Sequence, residues 1–324
     1  MTLHGDTMRG LRRVIALVMF FTWGATSWAQ LPEAERWGAQ VENAYEVEPN
    51  VTYLVANNYQ AKLDVYYPPR EKAAVPVVMT IHGGGWIEGT KEASILGALP
   101  YLQMGFAVVN VEYRLARVSP APAAVEDCLC ALHWIARNAQ KYHFDLSKVI
   151  VTGESAGGHL ALTTAMIPFS AGFENECAND DDVGSRRHKG QWTDFRPKVA
   201  AVINWYGITD VADMLQGPHI RSYAVSWLGS APNREELARR VSPLTYVVAG
   251  LPPVLTIHGD ADQIVPYSHA TRLRDALNKA GVRNRLLTIA GGDHGDFTAD
   301  QQIVAYEAIR QFLAELGITA VAKQ

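Results

Sequence analysis

The chain carries no strong excess of either charge. Its 29 basic and 33 acidic residues leave a net charge of −4 and a pI near 6.2, which argues against nucleic acid or an anionic membrane surface as partner. Beyond the first 30 residues it has no apolar segment long enough to cross a bilayer. Repeats and low-complexity tracts are absent. Cysteine is scarce and odd in number: Cys128, Cys130 and Cys177, so pairing within the chain leaves at least one thiol over. What remains is an ordinary globular composition. With 324 residues, 48% hydrophobic and 19% charged, the chain can bury a sizeable core, and its length suits one large α/β domain or two small ones.

The N-terminus differs from the rest. Arg9, Arg12 and Arg13 precede an apolar run at 14–21, and Ser27-Trp28-Ala29 places small residues at the −3 and −1 positions. This reads as a secretory signal peptide at 1–29, cleaved after Ala29, with Met8 an alternative start. The run is too short to span ~30 Å of hydrocarbon, which disfavours an anchor. The expected product is a secreted or periplasmic single domain at 30–324. Cys128 and Cys130 stand two apart on a helical pattern and face different directions, so they do not pair with each other. Cys177 can bridge to either, or all three can remain thiols.

Strand and helix patterns alternate from about residue 50 onward. Strands are expected at 51–56, 62–67, 75–81, 106–111, 149–152, 199–205, 253–257 and 285–289. The middle and later runs are continuously Val/Ile/Ala-rich, which suits parallel strands buried on both faces. The first two alternate and suit an antiparallel edge. Helices are expected at 123–138 and 268–280. A last helix, capped by Asp300, should bury Ile303, Ile309, Phe312, Leu313 and Leu316. The fold class predicted is α/β: a doubly wound, mostly parallel sheet with ligands at the carboxyl ends of its strands. Stretches 168–198 and 210–250 break the rhythm and are read as lid or cap insertions. Within the second, Asn233 and Glu236 have capping-box spacing.

Chemistry concentrates in four places. Gly153-Glu154-Ser155-Ala156-Gly157 follows an apolar strand, the pattern of a sharp strand–helix turn that exposes a serine. Alone, a G-x-S-x-G match is weak. Gly291-Gly292-Asp293-His294-Gly295 follows the final strand and offers a base. His258-Gly259-Asp260-Ala261-Asp262 follows the preceding strand and offers an acid, and the order Ser…Asp…His suits a nucleophile–base–acid relay in this fold class. Finally, His82-Gly83-Gly84-Gly85-Trp86 lets backbone amides approach a substrate closely. The lysine and Ser/Thr of a phosphate loop do not follow it, so Gly84, Gly85 and Ala156 are read as oxyanion donors.

Together, HGGGW at 82–86, VEYRL at 111–115, GESAGGHLA at 153–161, HGDADQIVP at 258–266 and GGDHG at 291–295 resemble the α/β-hydrolase superfamily. They are most similar to its HGGG-type secreted esterases and lipases, both hormone-sensitive-lipase-like and bacterial feruloyl-esterase-like. The resemblance spans about residues 50 to 315. It implies a triad of Ser155, Asp262 and His294, with Asp262 favoured over Asp260 by the Gln263–Pro266 turn that follows. It implies ester hydrolysis through an acyl-enzyme on a small-molecule or polymer-linked ester, short-chain or aromatic (hydroxycinnamate-like), without metal or organic cofactor. The insertion at 168–198 departs from the pattern.

Trp86, Trp205 and Tyr206 are candidate pocket walls, with Trp192 and Trp227 nearby; core packing is the competing explanation. His82, His159 and His258 are read as structural. Asp180–Asp182 lack the ligand spacing of a calcium loop and are read as solvated. Two other functions fit the same residues less well. An arylformamidase or small exopeptidase uses the same triad on amides. A hydrolase fold retained only for binding usually loses a triad member, and none is missing.

Overall fold

A computed structural model describes residues 32–68, 73–178, 196–230 and 232–320. The expected signal peptide, Trp192 and Asp180–Asp182 lie outside them. The chain divides into two compact units, Met1–Ala39 and Gln40–Gln324, with helix α1 (Glu33–Ala44) running across the division.

In the second unit, eight strands form one sheet: β1 (Glu46–Ala56), β2 (Tyr59–Tyr67), β3 (Val75–Ile81), β4 (Ala107–Val111), β5 (Phe144–Glu154), β6 (Val199–Trp205), β7 (Val254–Gly259) and β8 (Asn284–Ile289). Their order is β1-β2-β4-β3-β5-β6-β7-β8. β1 pairs antiparallel with β2 and β2 with β4, while β4 through β8 run parallel. All seven residues of β3 are buried, because helices cover both faces of the sheet. Every expected strand is present. β5 begins earlier than expected, at Phe144, because the polar Asp145, Ser147 and Lys148 interrupt its apolar pattern.

Helices α2 (Lys91–Ser94), α3 (Leu99–Gln103), α4 (Ala123–Tyr142), α5 (Ala156–Met166), α6 (Ser222–Leu228), α7 (Arg234–Arg240), α8 (Ser268–Lys279) and α9 (Ala299–Glu315) complete the unit. One core cluster joins the sheet to α4, α5 and α8 through Leu129, Leu160 and Leu273. The other joins it to α3 and α9 through Leu102 and Phe312. Two parts of the α9 reading are corrected. Thr298, not Asp300, caps the helix: its hydroxyl accepts from the Gln301 amide, and the Gln301 side chain accepts from the Thr298 amide. Ile303 is 55% exposed, because the buried stripe of the helix is Ala305, Ile309, Phe312 and Leu313 and position 303 is rotated off it. Asn233 precedes α7 but makes no side-chain cap bond; its backbone is not extended as a capping residue's would be.

Cys130 on α4 is disulfide-bonded to Cys177, and Cys128 is a buried free thiol whose pKa burial pushes well up. The bridge ties the start of the 168–198 insertion to α4. Beside it, Glu174 is buried between His133 of α4 and Arg196, with Arg196 donating at 2.7 Å. Among the described residues no helix is long and apolar enough to cross a membrane.

The strand order reverses between β3 and β5. The chain winds outward from β3 to β4, then returns to β5 and proceeds the other way. At such a switch point the loops after the two strands separate and leave a crevice at their carboxyl ends. The glycine loop follows β3 and the Ser155 turn follows β5, so both motifs meet there.

Candidate active site

Ser155 sits between the end of β5 and the start of α5 with φ 54° and ψ −115°, and its amide donates to the Trp205 carbonyl at 2.9 Å. The turn has no room for side chains on its flanks. A Cβ at Gly153 would fall 2.4 Å from the Gly157 carbonyl oxygen, and one at Gly157 would fall 2.1 Å from that of Ile81. Glycine is therefore required at both places.

His294 lies on the loop after β8. Its Nε2 is 2.9 Å from Ser155 Oγ and its Nδ1 2.8 Å from Asp262 Oδ2. With the Nδ1 proton donated to the carboxylate, Nε2 is left to accept the serine hydroxyl. The Asp262 carboxylate is fully engaged: Oδ1 accepts from the amides of Ile264 and Val265, both at 2.8 Å. Burial alone would raise its pKa. Hydrogen bonds from His258 and His294, the charge of His294 and the Val265 amide outweigh burial and hold it well below the usual carboxylate range. Asp260 does not reach His294 within the bonds described; its Oδ1 accepts from the Gly291 amide at 2.7 Å. Asp293 accepts from the amides of Gln263 and His294, so two flanking carboxylates join the acid loop to the base loop.

The glycine loop lies directly against the serine: a Cβ on Gly83 would be 3.6 Å from Ser155 Cβ. Gly84 and Gly85 take φ of +104° and +57°, conformations that suit glycine. Among the described residues, the amides of Gly84, Gly85 and Ala156 donate to no protein acceptor. The loop is held by its carbonyls instead: Gly84 O accepts from Ile87 and Glu88, and Tyr113 OH donates to His82 O and Gly83 O. His82 donates from Nδ1 to Gly83 O at 2.7 Å. Burial lowers its pKa to about 4, so it acts as a neutral brace.

The expected pocket walls separate. Trp86 is completely buried; its ring stacks on Trp227 at 4.2 Å and its Nε1–H donates to His159 Nδ1 at 3.2 Å. It is a strut under the glycine loop and not a wall, because the chain turns inward at Trp86 (φ +61°). His159 donates onward to Val241 O at 2.7 Å, and burial lowers its pKa to about 3. Trp205 and Tyr206 do line a cavity of about 120 Å³, shared with Tyr101, Glu154, Phe297 and Tyr306. Tyr206 packs edge-on against His294 with centroids 4.8 Å apart and donates to Glu154 Oε2 at 3.2 Å.

One contact escaped the sequence reading. His258, fully buried, places Nε2 3.1 Å from Asp262 Oδ2 and 3.0 Å from Val265 O. Its position four residues before the acid, across a turn, was the available signal. Among the described residues no group of three His, Cys, Asp or Glu side chains is placed to hold a metal ion.

Residues 63–277, well over half of the chain, match the BD-FAE family pattern. The chain belongs to the BD-FAE family. This BD-FAE chain is 28% identical over 243 residues to Lipase 2 of a Moraxella species, an alignment covering 70% of this chain and 55% of that one. It thus spans about half the length of that curated relative. Among solved structures, a truncated carbohydrate esterase from gut microbiota is 28% identical, with a TM-score of 0.66 over 85% of this chain and 98% of that one. A propionate-bound thermophilic esterase of Thermogutta terrifontis is 25% identical, with a TM-score of 0.67 over 86% and 97%. The fold is the α/β-hydrolase fold of these esterases, with an antiparallel N-terminal edge.

Proposed function

We propose that the protein is a serine carboxylic-ester hydrolase working through an acyl-enzyme on short-chain or small aromatic esters. The observation that carries this reading is the continuous path from Ser155 Oγ through His294 to Asp262, at 2.9 and 2.8 Å, beside three unoccupied backbone amides. His294 Nε2 takes the hydroxyl proton as Oγ attacks the ester carbonyl carbon, and the carbonyl electron pair moves onto oxygen. Asp262 holds the Nδ1 tautomer and stabilises the imidazolium. The amides of Gly84, Gly85 and Ala156 receive the oxyanion; one such donor is worth roughly 3 kcal/mol in the transition state. The C–O bond then breaks as His294 returns its proton to the leaving alcohol. In the second half, His294 activates water, which displaces serine and releases the acid.

The carbohydrate esterase and the propionate-bound esterase support an ester substrate with a short acyl group. Export fits the Cys130–Cys177 disulfide, a bond that persists in oxidising compartments. The test is turnover of acetate through laurate p-nitrophenyl esters, with methyl ferulate alongside. Activity greatest at the short end, or on the ferulate, is the expected result. Cleavage of an anilide faster than the matching phenyl ester overturns the reading in favour of amide chemistry.

A further inference from the structure

We propose that Tyr206, pinned by Glu154, is the positioning residue that fixes the imidazole of His294. This rests on the ester-hydrolase reading and deepens it, by naming what orients the base. His294 needs such a support. Its loop carries glycine at 291, 292 and 295, and among the described residues its ring nitrogens are held by Asp262 and Ser155 alone. Hydrogen bonds tolerate bends of roughly 30°, whereas a reacting group misplaced by about 1 Å loses about 10²-fold in rate. Packing on the ring supplies what the hydrogen bonds leave free. The Tyr206 ring meets that of His294 at 63° with centroids 4.8 Å apart, and lies 5.7 Å from Phe297 and 6.5 Å from His258. One aromatic ring therefore packs beside both histidines that flank Asp262.

The tip of the side chain closes on the histidine loop as well. A Cβ at Gly295 would lie 2.8 Å from the Tyr206 hydroxyl, so glycine alone fits beside it. That hydroxyl donates to Glu154 Oε2 at 3.2 Å. Burial, together with the charge of Glu154, pushes the Tyr206 pKa well up, so the phenol keeps its proton and remains the donor. The backbone agrees with this reading. Tyr206 takes φ +39°, rare for a residue with a Cβ, and such strain persists only where the surroundings over-determine it. Its amide donates to Ile257 O at 2.8 Å, and the Trp205 carbonyl before it accepts from the Ser155 amide at 2.9 Å. The end of β6 thus holds the nucleophile's backbone with one residue and the base's ring with the next. A substrate wall is the competing role. Tyr206 is 7% exposed, and the cavity of about 120 Å³ that it lines has neither Ser155 nor His294 in its lining, which separates that space from the reacting atoms.

The variants Tyr206→Phe, Glu154→Ala and Glu154→Gln, compared with the unmodified chain, make the test, and near-UV circular dichroism checks that each folds. The substrates are ethyl acetate, whose ethoxide needs the proton from His294 to leave, and the p-nitrophenyl esters of acetate and butyrate, whose leaving group departs without one. Tyr206→Phe and Glu154→Ala should each lower kcat on ethyl acetate about tenfold, and less on p-nitrophenyl acetate, with KM within about twofold of the parent. The preference between acetate and butyrate should not move. Glu154→Gln should stay within about threefold of the parent, because its amide oxygen still accepts from the tyrosine hydroxyl. A kcat on ethyl acetate within about twofold of the parent in either of the first two variants overturns the proposal. So does a loss carried by KM or by a changed acyl preference, which would make Tyr206 a pocket wall, or a glutamine variant as impaired as the alanine one. Should Glu154→Ala not fold, Tyr206→Phe and Glu154→Gln decide. If the parent cleaves no ester, the ester-hydrolase reading fails and the positioning pair with it; an active parent with unaffected variants sinks the pair alone.

Discussion

At Ser155 the backbone occupies a region that non-glycine residues rarely adopt (φ 54°, ψ −115°), a strain of about 1–3 kcal/mol that the packed turn must sustain. Ser155→Ala keeps the Cβ and removes only Oγ. Turnover should fall on the order of 10⁶-fold with the fold retained, measured on p-nitrophenyl acetate together with near-UV circular dichroism. Residual turnover within tenfold of the parent would remove Ser155 from its role. Asp262 is held from two sides, by His294 at 2.8 Å and His258 at 3.1 Å. His258→Asn should lower kcat roughly tenfold or more through a misplaced Asp262, with KM little changed; an unaffected kcat would make His258 a packing residue only. That Ser155, Asp262 and His294 sit just past strand ends, where they come within hydrogen-bond distance, was legible in the sequence because each follows a strong strand signal. The His258 contact was not, because its one signal, a histidine at the end of β7 four residues before the acid, is equally that of a packed strand residue.

At the scale of elements, all eight strands were readable from apolar runs, while details set by long-range packing were not. Trp86 reads as a candidate pocket wall with core packing as the alternative, and it is buried: Trp227 of α6, far along the chain, stacks on it. Ile303 is apolar but projects into solvent, since it lies off the stripe of Ala305, Ile309, Phe312 and Leu313 that packs on the sheet. Asp300 obeys the capping preference, but Thr298 with Gln301 satisfies two amides where a lone aspartate cap would satisfy one. The glycine loop yields a sharp expectation. At Gly84 a Cβ would lie 2.1 Å from the Glu88 carbonyl oxygen, so Gly84→Ala must displace the loop and should lower kcat by about 10²–10³. The Cys130–Cys177 bridge joins positions 47 residues apart, and its removal by Cys177→Ser should lower stability by roughly 4 kcal/mol in the chain-entropy account. Urea unfolding of variant and parent checks this; equal midpoints would contradict it.

For the whole molecule, acid stability follows from buried neutral histidines. His82 and His159 have folded pKa values of about 4 and about 3, lowered by burial from 6.5. Below pH 6.5 the unfolded chain binds protons at these positions and the native state does not. Their contribution is therefore present above pH 6.5 and is lost as pH falls toward 4, at up to about 1.4 kcal/mol per pH unit for each. Asp262 acts lower in the range: its depressed pKa stabilises above the ordinary carboxylate value near 4 and is lost only below it. Thermal melts from pH 7 to 4 should show falling Tm, with a shallower slope in His159→Gln, whose amide can donate to Val241 O. A slope unchanged by that substitution would contradict the assignment. The same sheet that buries these groups places the glycine loop and the Ser155 turn at its β3/β5 reversal, and the loop after β8 brings His294 to Ser155 across 139 residues.

The most direct measurement is to react the protein with a fluorophosphonate and map the adduct by peptide mass spectrometry. A single phosphonyl group on Ser155, lost when His294 is replaced by alanine, is the predicted result. Absence of any adduct, or an adduct on a different residue while Ser155 stays unmodified, contradicts the account.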